Sequence, residues 1–167
     1  MGGERPRRLL SRSPGATREL GAALGRALAP GTVVALEGDL GAGKTAFVQG
    51  LAAGLGIAEP VTSPTYALMQ SYAGRLDLYH FDAYMEGRER ALLGDGGLEC
   101  MHAGGVAAVE WADRVADVLP LPRIAVVLRH AGGSLRRLEI GVAGTSSGLA
   151  SIVGGLRLPD GVVEEPA

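Results

Sequence analysis

The sequence predicts an α/β fold, one domain with a mixed, mostly parallel sheet flanked by helices. Three observations carry that prediction. Thr32 to Leu36 and Val106 to Val109 are short continuous apolar runs, the pattern of strands buried on both faces of a parallel sheet. Apolar residues at helical spacing occupy the stretches before and after the first run. That run also leads directly into Gly38-Asp39-Leu40-Gly41-Ala42-Gly43-Lys44-Thr45, which fits G-x-x-x-x-G-K-[ST] and precedes a helical stretch. Strand, glycine loop and helix in that order form the phosphate-binding unit of the P-loop NTPase fold. A chain of 167 residues suffices for one domain with a core, and two full domains are not expected.

Residues 1–6 are expected to form a flexible N-terminus, 7–145 the P-loop domain and 146–167 a variable C-terminal tail. Arg7 to Ser11 reads as a first strand. Ser13-Pro14 then supplies an N-cap and a proline at the first helical position. Leu20, Leu24 and Leu28 recur at i, i+4, i+8 along the following helix, which Pro30-Gly31 terminates. After Lys44, residues Phe47, Val48, Leu51 and Leu55 share one face of a helix ending near Gly54 and Gly56. Tyr66 to Tyr72 and Leu76 to Phe81 are strand-like runs around Ala73-Gly74, a hairpin pattern. Glu86 to Cys100 is polar and glycine-rich, with short helices and loops expected. Ala112 to Leu119 is expected to be helical, stopped by Pro120 and Pro122. Ile124 to Leu128 and Leu138 to Val142 complete the strands, and a helix is placed near Leu149 to Val153 in the tail.

Composition narrows the function classes. A formal net charge of −2 provides no global basic field for nucleic acid. The single Cys100 excludes an intramolecular disulfide and a cysteine-based zinc site, and it suits a reducing compartment. Arg5, Arg7 and Arg8 are not followed by the apolar stretch and cleavage site of a signal peptide. No run approaches the ~20 apolar residues of a membrane span. A soluble, cytoplasmic protein with no membrane role is the expectation.

Lys44 is the only lysine among sixteen Lys and Arg residues, and it stands at the end of the glycine loop. A slim ammonium reaches between phosphates where a planar guanidinium does not fit. Glycines free consecutive backbone N–H groups to turn toward an anion, and the following helix adds its positive end. In such a loop Lys44 would bridge the β- and γ-phosphates of a nucleoside triphosphate and the Thr45 hydroxyl would hold Mg²⁺. Glu110 and Asp82 each end an apolar strand run, where an open α/β sheet places its ligand crevice, so both are candidates for the metal shell. His80 reads as a packed strand histidine with no catalytic role, and His102 and His130 lack metal-ligand spacing. Trp111 is either a core or rim aromatic or a contact surface beside the nucleotide. Ser63-Pro64-Thr65-Tyr66 lies where a nucleotide-sensing loop would, with two hydroxyls able to reach a γ-phosphate.

From Thr17 to Val142 these pieces resemble one family, TsaE (also called YjeE), the small P-loop ATPase of bacterial tRNA threonylcarbamoyladenosine synthesis. The resemblance rests on Leu36-Glu37 with the glycine loop, Val61-Thr62-Ser63-Pro64-Thr65-Tyr66, Tyr79-His80-Phe81-Asp82-Ala83-Tyr84 and Val109-Glu110-Trp111, in that order. It implies slow ATP hydrolysis and action on the TsaD and TsaB proteins, which transfer threonylcarbamoyl to adenosine 37 of tRNAs reading ANN codons. The chain would reset that complex between turnovers and meet tRNA only through it. The resemblance further implies that Thr45 and Glu110 hold Mg²⁺, and that Asp82 acts at the γ-phosphate or through metal-bound water. Ser63 to Tyr66, with Ser63 and Thr65, becomes a switch-like loop, and Trp111 lies near nucleotide or partner. Thr17 matches a threonine common near the nucleotide, and Arg136 or Arg137 matches a C-terminal arginine. Two positions depart from the family pattern. Met85 stands where the family has an arginine, for which Arg88 or Arg90 could substitute, and Ala46 replaces a second hydroxyl residue after the loop.

Two other readings share the glycine loop. A small-molecule or nucleotide kinase would need an arginine-bearing lid, for which Arg88 and Arg90 are the candidates. A nucleotide-gated binding module would use ATP to order its loops without hydrolysing it. Direct RNA binding lacks an aromatic and basic surface signature.

Overall fold

The structure, a computed structural model, describes residues 4–64, 68–84, 96–102 and 104–167. In chain order the elements are β1 (Arg7–Ser11), α1 (Pro14–Ala27), β2 (Val33–Glu37), α2 (Lys44–Gly54), β3 (Met69–Tyr72), β4 (Leu78–Asp82), α3 (Leu98–His102), β5 (Val106–Glu110), β6 (Arg123–His130), β7 (Arg136–Ala143), α4 (Ser147–Gly154) and β8 (Val162–Glu164). The strands form one sheet in the order β3-β4-β5-β2-β6-β7-β1-β8.

Strand pairing corrects one expectation. β4–β5, β5–β2 and β2–β6 are parallel, whereas β3–β4, β6–β7, β7–β1 and β1–β8 are antiparallel. The sheet is therefore mixed but not mostly parallel. Its centre obeys the continuous-apolar pattern: β5 is buried at every residue. The antiparallel flank follows the other rule, alternation of buried and partly exposed residues, as β6 shows over its first six positions.

The central strands feed two cores. Val34 and Leu36 of β2 and Ala108 of β5 face the layer of α1, α2 and α4. Val33 and Ala35, with Ala107 and Val109, face the opposite layer, which contains Met101, Val115 and Leu119. Alternate residues thus serve opposite faces, as the period of two in a strand requires.

Helix α1 starts as its residues dictate. The Ser13 side chain accepts the Ala16 N–H at 3.0 Å and Pro14 occupies the first turn. Leu20 and Leu24 are fully buried. Glycines then set how closely α1 meets α2. A Cβ at Gly50 would fall 1.8 Å from the Arg18 carbonyl oxygen, and one at Gly21 would fall 2.2 Å from that of Phe47. The two backbones touch with no side chain between them, which fixes the glycine-loop helix against the helix carrying Thr17. Gly50→Ala is expected to destabilise the fold by about 1–3 kcal/mol through overpacking. Urea unfolding of both proteins measures it, and an unchanged midpoint would mean that the helices part freely.

Two further segments differ from expectation. Ala112 to Leu119 does not form a helix: Ala112–Arg114 is a single 3₁₀ turn, followed by further turns closed by Val118 and Leu119 N–H groups on the Val115 carbonyl. The buried Ala112, Val115 and Leu119 mimic helical spacing. However, Trp111 enters the segment in the left-handed region at φ 58°, and Pro120 closes it. Residues 146–167 form α4, the helix expected near Leu149 to Val153, and also the edge strand β8, which was not expected. The Arg7 guanidinium ties both to the first strand, donating to Glu164 at 2.9 Å and to the carbonyls of Val153 and Leu156. Among the described residues no helix is long and apolar enough to cross a membrane.

Candidate functional site

The glycine loop leaves the C-terminal end of β2 and returns into α2. Gly38, Gly41 and Gly43 take φ values of 154°, 77° and 105°, a backbone that residues with a Cβ adopt only under strain. Gly38 is also constrained by space, because a Cβ there would lie 2.6 Å from the Leu128 carbonyl oxygen. Lys44 begins α2 and is only 5% exposed. Its Nζ donates to the carbonyls of Gly38 and Asp39 and sits 4.0 Å from the centre of the Trp111 ring. Burial lowers its pKa below the ordinary lysine value, against the opposing pull of Glu110, Asp82, Asp113 and Asp39.

Two carboxylates arrive from neighbouring strands. β4 and β5 run parallel in a register that pairs Asp82 with Glu110, so both stand side by side at the C-terminal edge. The Thr45 hydroxyl donates to Glu110 Oε1 at 3.0 Å, and His80 Nε2 meets Glu110 Oε2 at 2.5 Å. Asp82 accepts from the Ser63 hydroxyl at 2.9 Å and from the Tyr84 N–H at 2.8 Å. A loop hydroxyl and a strand-end carboxylate are thereby joined.

These groups surround a cavity of about 670 Å³, within the range of small-molecule sites. Of the residues expected from sequence, it gathers Thr17, Leu40, Gly41, Gly43, Lys44, Thr45, Ala46, Ser63, Asp82, Glu110, Trp111 and Arg136. Gly38 and Asp39 instead face a hollow on the other side of the loop, and the Ala42 side chain is fully buried. Thr65, Tyr66, Met85, Arg88 and Arg90 lie outside the described residues. Thr17 is 1% exposed and its hydroxyl is 2.7 Å from Ser11 Oγ, so its contribution at the loop is its methyl group, which faces Gly43. The two arginine candidates separate clearly. Arg136 lines the cavity and donates to the carbonyls of Gly41, Gly133 and Leu135, whereas Arg137 pairs with Glu165 at 3.0 Å.

Three participants escape the sequence pattern. His80 reaches Glu110 despite its reading as packing alone. Tyr84 lines the cavity and packs on Trp111 at 5.0 Å between ring centres. Arg114 lies over both rings and donates to the Tyr84 carbonyl at 2.8 Å. Trp111 itself carries a backbone conformation unusual for an aromatic residue, the kind of strain that accumulates at working sites.

The family model described as "Threonylcarbamoyl adenosine biosynthesis protein TsaE" matches residues 11–138, which includes every residue that lines this cavity. The chain belongs to the TsaE family. The TsaE protein of Treponema pallidum is 44% identical over 133 residues, covering 80% of this chain and 98% of its own length. The TsaE protein of Bacillus subtilis is 44% identical over 116 residues, covering 69% and 72%. Both relatives are named as tRNA threonylcarbamoyladenosine biosynthesis proteins. The crystal structure of Bacillus subtilis YdiB superposes with a TM-score of 0.75 at 31% identity, over 93% of this chain and 95% of that one. That superposition covers more of the chain than residues 11–138 alone.

Proposed function

We propose that the protein is a Mg²⁺-dependent ATPase that serves tRNA threonylcarbamoyladenosine synthesis by acting on a TsaD–TsaB complex in the cytoplasm. The observation that carries this reading is the convergence of one buried ammonium, one hydroxyl and two carboxylates on a single cavity at the mouth of a glycine loop. The donor chemistry suits Mg²⁺: Thr45, Glu110 and Asp82 offer hard oxygens. Among the described residues no cluster of three or more His, Cys, Asp or Glu could hold a metal alone. That fits an ion which takes one or two carboxylates and completes its shell with phosphates and water. Bound there, Mg²⁺ would neutralise and orient the β- and γ-phosphate oxygens.

The chain's own groups supply the rest. Phosphate oxygens compete for the Lys44 donors that Gly38 and Asp39 accept, drawing the ammonium onto the triphosphate. Thr45 and Glu110 would hold the metal. Asp82 orients the water that attacks the γ-phosphorus, as the bond from that phosphorus to the β-phosphate oxygen breaks and ADP leaves. Because Asp82 also holds Ser63, the same carboxylate links the reacting end of ATP to the loop before β3. Trp111 and Arg136 both line the cavity, against Lys44 and the Gly41 carbonyl respectively.

The test is reconstituted tRNA modification with TsaD, TsaB and ATP, run over many turnovers with and without this chain. Product beyond one equivalent of complex is expected only when the chain is present, with ATP consumed in step. Equal yield in both reactions would refute the proposed role. Phosphate appearing on a small acceptor instead would move the protein to the kinase class.

A further inference from the structure

His80 is fully buried and, among the described residues, does not line the cavity and makes one side-chain hydrogen bond, to Glu110. We propose that His80 is a positioning residue for Glu110, holding its carboxylate in the orientation that receives Mg²⁺. This inference rests on the Mg²⁺-ATPase reading above.

An ionised carboxylate only accepts, so toward Glu110 Oε2 in that form the imidazole donates from Nε2. Its other nitrogen, Nδ1, is buried with no hydrogen-bond partner. A histidine kept for packing alone would leave such an acceptor unsatisfied for no return, since an apolar side chain fills the same space without it.

The sheet explains why the ring reaches Glu110. His80 is paired in register with Ala108, and Asp82 with Glu110, along parallel β4 and β5. Residues 80 and 82 therefore share one face of β4, with 108 and 110 beside them. Ala108, the register partner of His80, carries only a methyl group, and the imidazole reaches Glu110 across the strand pair. Thr45 holds the other oxygen from α2, so the carboxylate is fixed from two sides by groups on two different elements. Groups that orient a metal's ligand in this way commonly change metal affinity about 10–100-fold when removed.

The experiment compares the wild type with His80→Leu, His80→Gln and His80→Asn. Gln places an amide N–H near the position of Nε2, and Asn carries the same amide one carbon short. Binding of a non-hydrolysable ATP analogue is measured by calorimetry across a Mg²⁺ titration and again in EDTA. His80→Leu is expected to raise the Mg²⁺ concentration for half-maximal binding about 10–100-fold, while affinity in EDTA changes less than about twofold. His80→Gln should restore most of the Mg²⁺ response and His80→Asn should not, a contrast that decides the matter even if the leucine variant fails to fold. Equal Mg²⁺ dependence in wild type and variants would overturn the inference, and so would parallel losses with and without metal. A wild type whose binding ignores Mg²⁺ would overturn the ATPase reading itself.

Discussion

Lys44→Ala is expected to weaken ATP binding by about 100-fold or more and to remove hydrolysis at any practical ATP concentration. A charge-assisted hydrogen bond contributes about 1.5–3 kcal/mol, and each 1.4 kcal/mol is a factor of ten, so an ammonium bridging two phosphates supplies at least that factor. Among the described residues nothing else in the cavity replaces it. Arg136 is committed to three carbonyls, and Arg114 to the Tyr84 carbonyl and two aromatic faces. Lys44→Arg should fail to rescue, because Nζ occupies a slot between the Gly38 and Asp39 carbonyls and the Trp111 ring that a guanidinium overfills. The variant keeps the fold, since the ammonium's partners are carbonyls that water also satisfies. Calorimetric titration with ATP measures the loss; unchanged affinity would reject the assigned site.

The pKa of Lys44 gives the same site a pH signature. Burial lowers it, so the ammonium begins to lose its proton below the ordinary lysine range as pH rises. ATP favours the charged form and raises the pKa again. Affinity should therefore fall on the alkaline side, with a proton taken up on binding there.

Much of this arrangement was legible from the chain. The run from Thr32 to Leu36, the glycine loop and the Leu20, Leu24 and Leu28 stripe each have one local explanation, and each reappears as an element. Asp82 and Glu110 were legible because they end apolar runs, and parallel register then brings them abreast. His80 had a signal too: two residues before Asp82 on a strand means the same face. What was missing was its partner, since a pairing across strands depends on register. The antiparallel flank escaped for a similar reason, because β1 and β8 meet across the length of the chain and carry no local mark of doing so. Ala112 to Leu119 misled in the opposite direction. Its buried residues keep helical spacing, but the left-handed Trp111 turns the chain before a helix can nucleate. The choice between Arg136 and Arg137 needed the strand's two faces, one toward the glycine loop and one toward Glu165.

Glu110→Gln is the second large effect expected, a fall of about 100- to 1,000-fold in Mg²⁺-dependent turnover, the scale on which a single electrostatic contact in an active site acts. The glutamine variant is the informative one. It keeps the shape, offers its oxygen to the Thr45 hydroxyl and its amide N–H to His80, whose ring changes tautomer and accepts at Nε2. What it removes is the negative charge, and with it the hold on Mg²⁺ proposed for this carboxylate. Glu110→Ala removes more: it leaves the Thr45 hydroxyl and the buried His80 nitrogen without partners, a cost of about 1–3 kcal/mol for the latter in stability alone. A comparison of the two therefore separates charge from scaffolding. The glutamine variant should bind ATP in EDTA as the wild type does, melt close to it, and lose turnover with Mg²⁺. The alanine variant should lose turnover to the same extent and also melt earlier. Full activity in the glutamine variant would remove Glu110 from the metal site and leave Asp82 as the sole carboxylate there.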